Sequence, residues 1–485
     1  MKMKVTKYIL ISFLLIAGIS SCSKFEEMNF DPNRPDVVPT GALLTQAQAN
    51  LIYNLNSEIA QLGEQYVQYL GQLDYPDKSN YADDGVSSFT GIYTGGLADL
   101  QEIIDLNQNE LFKAKVEQYG DNENQIAVAK ILQSWAFESM ADVWGDIPYS
   151  EALRSEDNII TPAYDTQEAI YDGIIQVLDK AILDINTSPK IALKGDLIFN
   201  GNMNKWKAFA ISLRLRLAMR LSEVDDNKAN NLIDDADFTG AFSTSADFAR
   251  FAHLNTEAEA NPLYIDNYIV GGGDYYAVAN TLIDAMNALN DPRVAKYAKP
   301  AISTGTYIGL TYGLDHPVSD QDVTMVSDMY GGQTAPTILM TAAEILFIKA
   351  EAAQRGYISG GSASAAQYYN DAIRASMEYN GISPTEINNY LAQTNVQYNA
   401  ANWRQLIGVQ KWIALYMQGI QAWAEWRRLD FPVLSPGPAA VLTTIPRRRA
   451  YTSDEYATNK LNVEAAVKRL ATGEDKFTEK VWWDK

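Results

Sequence analysis

Histidine and cysteine are scarce in this sequence, and their scarcity excludes several kinds of chemistry. Its 485 residues include two histidines and one cysteine. One cysteine cannot form a disulfide framework within the chain, and the isolated His253 and His316 support neither a histidine metal cluster nor a Cys/His nucleophile. The acidic segments match no EF-hand spacing, and the glycine runs do not open a helix as a phosphate loop does. We therefore predict no catalytic residues, no metal and no cofactor.

Positive charge is also in short supply. The chain has 39 lysines and arginines against 60 aspartates and glutamates, a net charge of −21. Because such a chain is repelled by phosphate groups, we predict that it binds no nucleic acid and disfavours anionic ligands. Five arginines near the C-terminus are an exception: Arg427, Arg428, Arg447, Arg448 and Arg449. We expect them to pair with carboxylates inside the protein rather than to form a partner-binding patch, and we expect Trp482 and Trp483 to dock the chain end onto the core.

A long apolar run occurs at the N-terminus. Three lysines precede apolar residues 8–19, which are followed by Ser20, Ser21 and Cys22. The run is shorter than the roughly 20 residues of a membrane-spanning helix, and small residues before a cysteine are typical of a lipoprotein signal peptide. We predict that residues 1–21 are removed and that acyl chains on Cys22 anchor the protein in a membrane. An ordinary secretory signal with an incidental cysteine is the alternative.

The rest of the chain has no long linker of proline, glycine or serine. We interpret residues 22–40 as the lipidated cysteine and a flexible tether, because prolines and polar turn formers disfavour a helix there. Residues 41–485 are dominated by helical periodicity, which predicts a single, mainly α domain. The predicted helices cover residues 42–70, 91–118, 122–142, 166–186, 203–222, 275–289, 338–355, 362–380 and 402–427.

One predicted helix shows the pattern clearly. Trp206, Phe209, Leu213 and Leu217 fall on one face at a period of about 3.6 residues. Such a stripe predicts burial against a core. Arg220 projects near the apolar side, so we expect it either to extend its charge to solvent or to meet a carboxylate.

Some predicted helices also form pairs. Segments 338–355 and 362–380 carry faces of small residues on either side of a glycine-rich turn, a rhythm similar to that of a tetratricopeptide helix pair. A generic helical hairpin is the alternative. Helices 122–142 and 166–186 make a second candidate pair. Repeats of this type build scaffolds whose loops carry function.

Several short segments, taken together and in order, resemble the SusD/RagB family of outer-membrane nutrient-binding lipoproteins, in particular its second SusD-like branch. The resemblance covers nearly the whole chain. It rests on Trp144–Tyr149, Asn204–Ala210, Arg214–Arg220, Lys349–Ala352, Gln410–Leu415, Glu425–Arg428 and Ile445–Arg448.

The resemblance implies a fold, a partner and a location. The fold would consist of tetratricopeptide-like helix pairs that support a loop-rich ligand face. The partner would be a SusC-like TonB-dependent transporter barrel, over which the lipoprotein sits as a lid. Glu26 and Glu27, shortly after Cys22, resemble the signal that sends such lipoproteins to the outer leaflet, which implies an outer-membrane protein facing the cell exterior.

Aromatic residues are abundant and suggest how a ligand would be held. The chain has 28 tyrosines, 9 tryptophans and 15 phenylalanines. Aromatic rings stack on sugar rings or on peptide side chains, and a tyrosine hydroxyl adds a hydrogen bond. We expect exposed aromatic residues in irregular segments, with ordinary loop packing as the alternative for each. The candidate ligand-binding residues are Tyr75, Tyr81, Tyr268, Tyr275 and Tyr276.

The sequence thus favours a binding protein over an enzyme. We predict that it captures an oligosaccharide or a peptide and presents it to the transporter, a task that needs a rigid scaffold and a few aromatic anchors. The sequence does not choose between glycan and peptide. One alternative is a surface glycoside hydrolase that uses a carboxylate pair, and another is a structural lid of the transporter without ligand affinity of its own.

Overall fold

The computed structural model describes residues 37–56, 60–82, 88–270 and 275–485. The predicted signal peptide, Cys22, the Glu26-Glu27 pair and the tether up to residue 36 lie outside these residues. Thr40–Lys485 forms one compact unit. Within the described ranges, no helix combines the length and the apolar character needed to cross a membrane.

Helices dominate the described residues, which confirms the predicted, mainly α fold. Those of seven or more residues, numbered α1 to α14 in chain order, are Thr40–Asn54, Ala60–Tyr66, Ala98–Gln108, Asn122–Trp144, Gln167–Asp184, Met203–Arg220, Asp226–Leu232, Asn280–Ala288, Ala342–Arg355, Gly361–Tyr379, Pro384–Leu391, Trp403–Ala414, Gly419–Leu429 and Lys460–Val467. Shorter α-helical segments are Phe89–Gly91, Lys113–Val116, Pro262–Tyr264, Val294–Tyr297, Asp328–Gly331 and Ser453–Thr458, and two π-helical segments are Ile92–Leu97 and Ile265–Val270.

Short antiparallel strands connect distant parts of the chain. The strands β1 to β8 are Leu70–Gln72, Ile147–Pro148, Tyr164–Asp165, Phe248–Phe251, Tyr276–Val278, Ala298–Lys299, Met325–Val326 and Thr337–Thr341. A four-stranded sheet has the order β1-β5-β7-β6, and the pairs β2-β3 and β4-β8 form two further sheets. The four-stranded sheet brings the chain near residue 70 beside the chain near residue 277.

The predicted helix pairs are present. α9 packs along α10, with Ala350, Ala353 and Ala365 fully buried where small side chains let the helices approach closely. α4 packs along α5 in the same way. Local signals fix the ends of these helices: the hydroxyl of Thr166 accepts a hydrogen bond from Ala169 N–H at the start of α5, and Gly356, with φ +82°, ends α9.

Some predicted helices have other boundaries in the structure. The segment predicted as one helix over 402–427 is α12 and α13, because Met417 adopts φ +61° between them while the apolar periodicity continues across the break. The helices predicted from 275 and 338 begin at Asn280 and Ala342, because the residues before them pair in β5 and β8. The segments 91–118 and 42–70 are each divided into shorter elements.

The apolar stripe of α6 lies in the core, as predicted. Trp206, Phe209, Leu213 and Leu217 are all fully buried. Arg220 meets carboxylates, since its guanidinium lies 2.8 Å from Glu425 Oε1 and 3.4 Å from Asp142 Oδ2. It is therefore buried as an ion pair and does not extend to solvent.

Four of the five C-terminal arginines are buried, and Arg447 is partly exposed. Arg428 pairs with Glu351 and Glu425, Arg447 with Asp484, and Arg448 with Asp475. The expectation that this cluster forms internal ion pairs is confirmed for these three.

The end of the chain docks onto the same region. Trp483 is fully buried, and its indole N–H donates to Asp142 Oδ1 at 2.9 Å. The guanidinium of Arg427 lies 3.9 Å from the ring centre of Trp423 and 4.7 Å from that of Trp483. Trp483 therefore holds the chain terminus in the core, as predicted.

Candidate functional site: a tyrosine face on the loops

Pairing between β1 and β5 brings two candidate loops together. Gln72 at the end of β1 lies opposite Tyr276 at the start of β5. Leu73 N–H donates to the carbonyl oxygen of Tyr275 at 2.9 Å, which extends the contact beyond the strands. The segment after β1 and the segment before β5 therefore leave the sheet at the same end.

The side chain of Gln72 connects these two segments. Its Nε2 donates to the hydroxyl of Tyr275 at 2.9 Å. Its Oε1 accepts from the backbone N–H groups of Lys78 and Ser79 at 2.9 and 3.2 Å. Since Gln72 is buried, these bonds fix the turn over residues 73–79 against the ring of Tyr275.

Three of the predicted tyrosines present surface to solvent at this end of the sheet. Tyr75 is 75% exposed, Tyr268 is 43% exposed, and Tyr275 is half-buried. We name these three residues the tyrosine face. Tyr75 adopts φ +53°, a conformation that non-glycine residues rarely take and that marks a turn held by its surroundings.

Tyr268 lies in the π-helical segment Ile265–Val270 and not in the irregular segment that we expected. This π-helical segment is attached to β5. Asn267 is buried, and its Oδ1 accepts from the backbone N–H of Tyr276 at 3.2 Å. The ring of Tyr268 lies 4.8 Å from that of Tyr264, centre to centre. Ile269 and Val270 follow and are exposed. The surface beside β5 is thus aromatic and apolar, as a ligand-stacking surface requires.

The charge around Tyr275 is negative. Burial raises the pKa of its hydroxyl, the hydrogen bond from Gln72 opposes this rise, and the carboxylates of Asp77, Asp266 and Asp74 reinforce it. The same negative charges would also act on a ligand bound at the hydroxyl. The face therefore suits a neutral ligand better than an anionic one.

Two of the five candidate tyrosines do not lie on this surface. Tyr81 is 3% exposed and Tyr276 is 1% exposed, so the expectation that they are exposed loop residues is wrong. Tyr81, with φ +63°, turns inward, and its ring packs against those of Tyr66 and Tyr312. Tyr276 belongs to β5 and faces the core. The ring of Tyr276 meets that of Tyr275 edge to face, with ring centres 4.9 Å apart.

Sequence reasoning missed the polar residues that position the face. Gln72 and Tyr275 are separated by 203 positions in the chain, and no local pattern distinguishes Gln72 from other glutamines. Asn80, which follows the turn over residues 73–79, donates from Nδ2 to the carbonyl oxygen of Leu314 and accepts from Val441 N–H at its own carbonyl. Only knowledge that β1 pairs with β5 would have identified Gln72 as a residue that positions the face.

Comparison with known protein families identifies the family to which the chain belongs. Residues 32–452 match the SusD-like family described as starch-binding and associating with the outer membrane. That match covers most of the sequence, and the chain belongs to this family. Compared with the curated proteins, the sequence has no match.

Solved structures agree with the family assignment. A chitin-binding protein shares 27% of residues with this chain, with a TM-score of 0.79, and the alignment covers 92% of this chain and 99% of that one. A SusD homologue from Bacteroides uniformis has 26% identity, a TM-score of 0.79, and coverage of 93% and 100%. A chitin-binding SusD homologue from Flavobacterium johnsoniae has the same fold at 22% identity, a TM-score of 0.74, and coverage of 91% and 98%. The predicted SusD-like architecture is confirmed.

Proposed function

We propose that this protein is a cell-surface lipoprotein that binds a neutral oligosaccharide at its tyrosine face and delivers it to a SusC-like TonB-dependent transporter. The observation that carries the proposal is the tyrosine face itself, two exposed rings and one half-buried ring on segments attached to one sheet. Membership in a starch-binding family and similarity to chitin-binding proteins favour a glycan over a peptide.

The chemistry of the face fits sugar rings. The apolar face of a pyranose stacks on an aromatic ring, and its hydroxyl groups bond to neighbouring polar groups. Tyr75 and Tyr268 offer the rings, while the hydroxyl of Tyr275 and the nearby Asp74, Asp77 and Asp266 offer polar partners. The same carboxylates would repel uronate or sulfated glycans, and this selectivity would weaken as salt is added.

Single substitutions test the site. Isothermal titration with maltoheptaose and with chitohexaose should show binding of at least one of them, and Tyr75→Ala and Tyr268→Ala should each weaken it about fivefold or more, since truncating an aromatic anchor costs on the order of 1 kcal/mol or more. Tyr119→Ala, which removes a partly exposed tyrosine between α3 and α4, is the matched control. Unchanged affinity in both face variants would reject the tyrosine face as the site.

The anchor and the partner need separate tests. Labelled palmitate should enter the protein and should be absent from Cys22→Ala, and equal labelling of both would reject lipidation at Cys22. The anchored protein should co-purify in mild detergent with a TonB-dependent barrel of its own outer membrane. The control is a known complex between an outer-membrane barrel and a lipoprotein, which should stay intact in the same detergent. If the control complex survives and this protein is recovered alone, the result would argue against the transporter partner.

A further inference from the structure

A groove of about 550 Å³ shares no lining residue with the tyrosine face. Its walls come from α3, α4 and the loop between β2 and β3. That volume lies in the range of pockets that hold small ligands. The lining combines two amides, two aromatic rings and several charged groups, which is the mixture that sugar recognition uses.

The amides form a chain along one wall. Gln133 Nε2 donates to Gln101 Oε1 at 3.2 Å, and Gln101 Nε2 donates to Asp105 Oδ1 at 2.9 Å. This pattern leaves a second N–H on each amide, and within the described part of the chain no protein group bonds to Gln133 Oε1. Donors and acceptors therefore stand side by side, as a pair of adjacent sugar hydroxyls requires.

The aromatic wall is held rigidly. Tyr149 and Phe137 meet edge to face, with ring centres 4.9 Å apart and planes at 89°. The backbone N–H of Tyr149 donates to Asp165 Oδ2 at 3.0 Å. On its other side the ring packs against Gly173, where an added Cβ would lie 2.6 Å from Tyr149 Cε1. A ligand would meet this wall without reorganising it.

The loop that closes the groove has a fixed and unusual shape. Leu153 adopts φ +61°, a conformation that branched, bulky residues rarely take. Ser150 N–H and Oγ–H each donate to Asp165 at 2.8 Å, and Arg154 Nε lies 2.8 Å from Asp157 Oδ2, so both sides of Leu153 are held. Strained residues of this kind concentrate at binding sites.

The charge of the groove restricts the ligand. Asp105, Glu156 and Asp157 line it against a single arginine, Arg154. This excess of negative charge disfavours a carboxylated or sulfated sugar. A neutral pyranose meets no such penalty.

We propose that this groove is a second carbohydrate subsite, which holds one neutral pyranose unit between the amides of Gln101 and Gln133 and the ring of Tyr149. The proposal rests on the proposed function for the class of ligand and extends it to a separate place on the chain.

Variants in the amide wall test the subsite. The probes are methyl β-D-glucopyranoside and methyl N-acetyl-β-D-glucosaminide, with methyl β-D-glucuronide as the anionic comparison, titrated by saturation-transfer NMR. The protein carries Tyr75→Ala and Tyr268→Ala, so that the tyrosine face is disabled. We expect saturable binding of at least one neutral probe and weaker binding of the glucuronide. Gln101→Leu and Gln133→Leu should each reduce the affinity about fivefold or more, the effect of losing one hydrogen bond.

Gln367→Leu on α10 is the matched control. Gln367 donates to Asp371 at 2.9 Å across one helical turn, as Gln101 does to Asp105, but it lies outside the groove. It should leave the affinity unchanged. Absence of saturable binding by both neutral probes, or equal affinity in all three leucine variants, would overturn the proposal. A failure of the proposed function would give a different result. If the tyrosine face were not the oligosaccharide site, Tyr75→Ala and Tyr268→Ala would each bind oligosaccharide with wild-type affinity.

Discussion

Arg428 and Glu351 form a two-pronged ion pair in the interior of the protein. Arg428 Nη1 and Nη2 each donate to one carboxylate oxygen of Glu351 at 2.6 Å, and both side chains are fully buried. Burial opposes ionisation of the acid, but the charge of Arg428 prevails and lowers the pKa of Glu351 to about 2. Glu425, 2.7 Å from Nη2, is a second acid partner of the same guanidinium. The pair joins α13 to α9.

Removing the arginine should be costly. Arg428→Met would leave Glu351 and Glu425 buried without this counter-charge, and breaking a buried pair on one side costs about 3–5 kcal/mol. Urea unfolding followed by circular dichroism measures the loss. The control is Lys180→Met, whose partner Asp184 shares an exposed helix surface, and it should cost about 1 kcal/mol or less. Similar losses in the two variants would contradict the structural role of the Arg428–Glu351 pair.

The buried carboxyl of Glu64 on α2 should make the stability of the protein depend on pH. Burial raises the pKa of this carboxyl to about 8, although a hydrogen bond from the backbone of Gly419 opposes the rise. Between the ordinary value near 4.5 and this raised value, the folded state holds a proton that the unfolded state has released. The contribution of Glu64 to the free energy of unfolding is therefore fully present below pH 4.5. It falls by about 1.4 kcal/mol per pH unit as pH rises to about 8.

Glu64→Gln removes this titration while keeping the size of the side chain. We expect the variant to gain stability relative to the wild type as pH rises from 5 to 8, in urea unfolding experiments at each pH unit. Glu110→Gln, an exposed acid, is the control and should give a constant difference. Parallel curves for Glu64→Gln and the wild type would show that Glu64 is already ionised in the folded protein.

Helical periodicity was sufficient to predict most of the scaffold. The stripe through Trp206 and Leu217 identifies a buried face because burial repeats with the helical period. The break at Met417 was missed, since apolar residues keep the same spacing on both sides of it. β5 was missed for a related reason: three residues give too short a pattern, and their partners in β1 lie about 200 positions away.

The candidate site was predictable only in part. Turn-forming residues around Tyr75 correctly indicated an exposed loop. Tyr268 is exposed as expected, but it lies in the π-helical segment Ile265–Val270 and not in an irregular one. The same signal was present at Tyr81, but burial depends on which rings approach from elsewhere in the chain, here Tyr66 and Tyr312. Local sequence carries no information about such contacts.

The end of the chain offers a third prediction. Trp483→Ala should destabilise the protein by about 3–5 kcal/mol, because it empties a buried site and removes a hydrogen bond to Asp142. Trp482→Ala is the control at the neighbouring position, where the indole is half-buried and meets Tyr171 only at a ring distance of 6.3 Å. Thermal unfolding should show a clearly larger loss for Trp483→Ala. Equal losses would mean that the chain end is not specifically docked by Trp483.

Gln72 positions the tyrosine face without contacting the ligand itself. Its amide bonds to the hydroxyl of Tyr275 and to the turn that carries Tyr75, yet the side chain is buried and cannot itself reach a ligand. Gln48 on α1 is similar in kind: it is buried, Nε2 donates to the carbonyl oxygens of Leu44 and Gly195, and Oε1 accepts from Leu197 N–H.

Replacing these two glutamines by leucine gives a matched comparison. Both variants lose three hydrogen bonds of a buried amide, so we expect both to be destabilised, each by about 1–3 kcal/mol. Only Gln72→Leu should also weaken oligosaccharide binding, by about fivefold or more, because it frees the ring of Tyr275 and the turn at Tyr75 while leaving both tyrosines in place. Calorimetric titration well below the unfolding temperature measures the affinity of each. If Gln48→Leu weakened binding as much as Gln72→Leu, the effect would come from general loosening of the fold, and the orientation of the tyrosine face by Gln72 would be refuted.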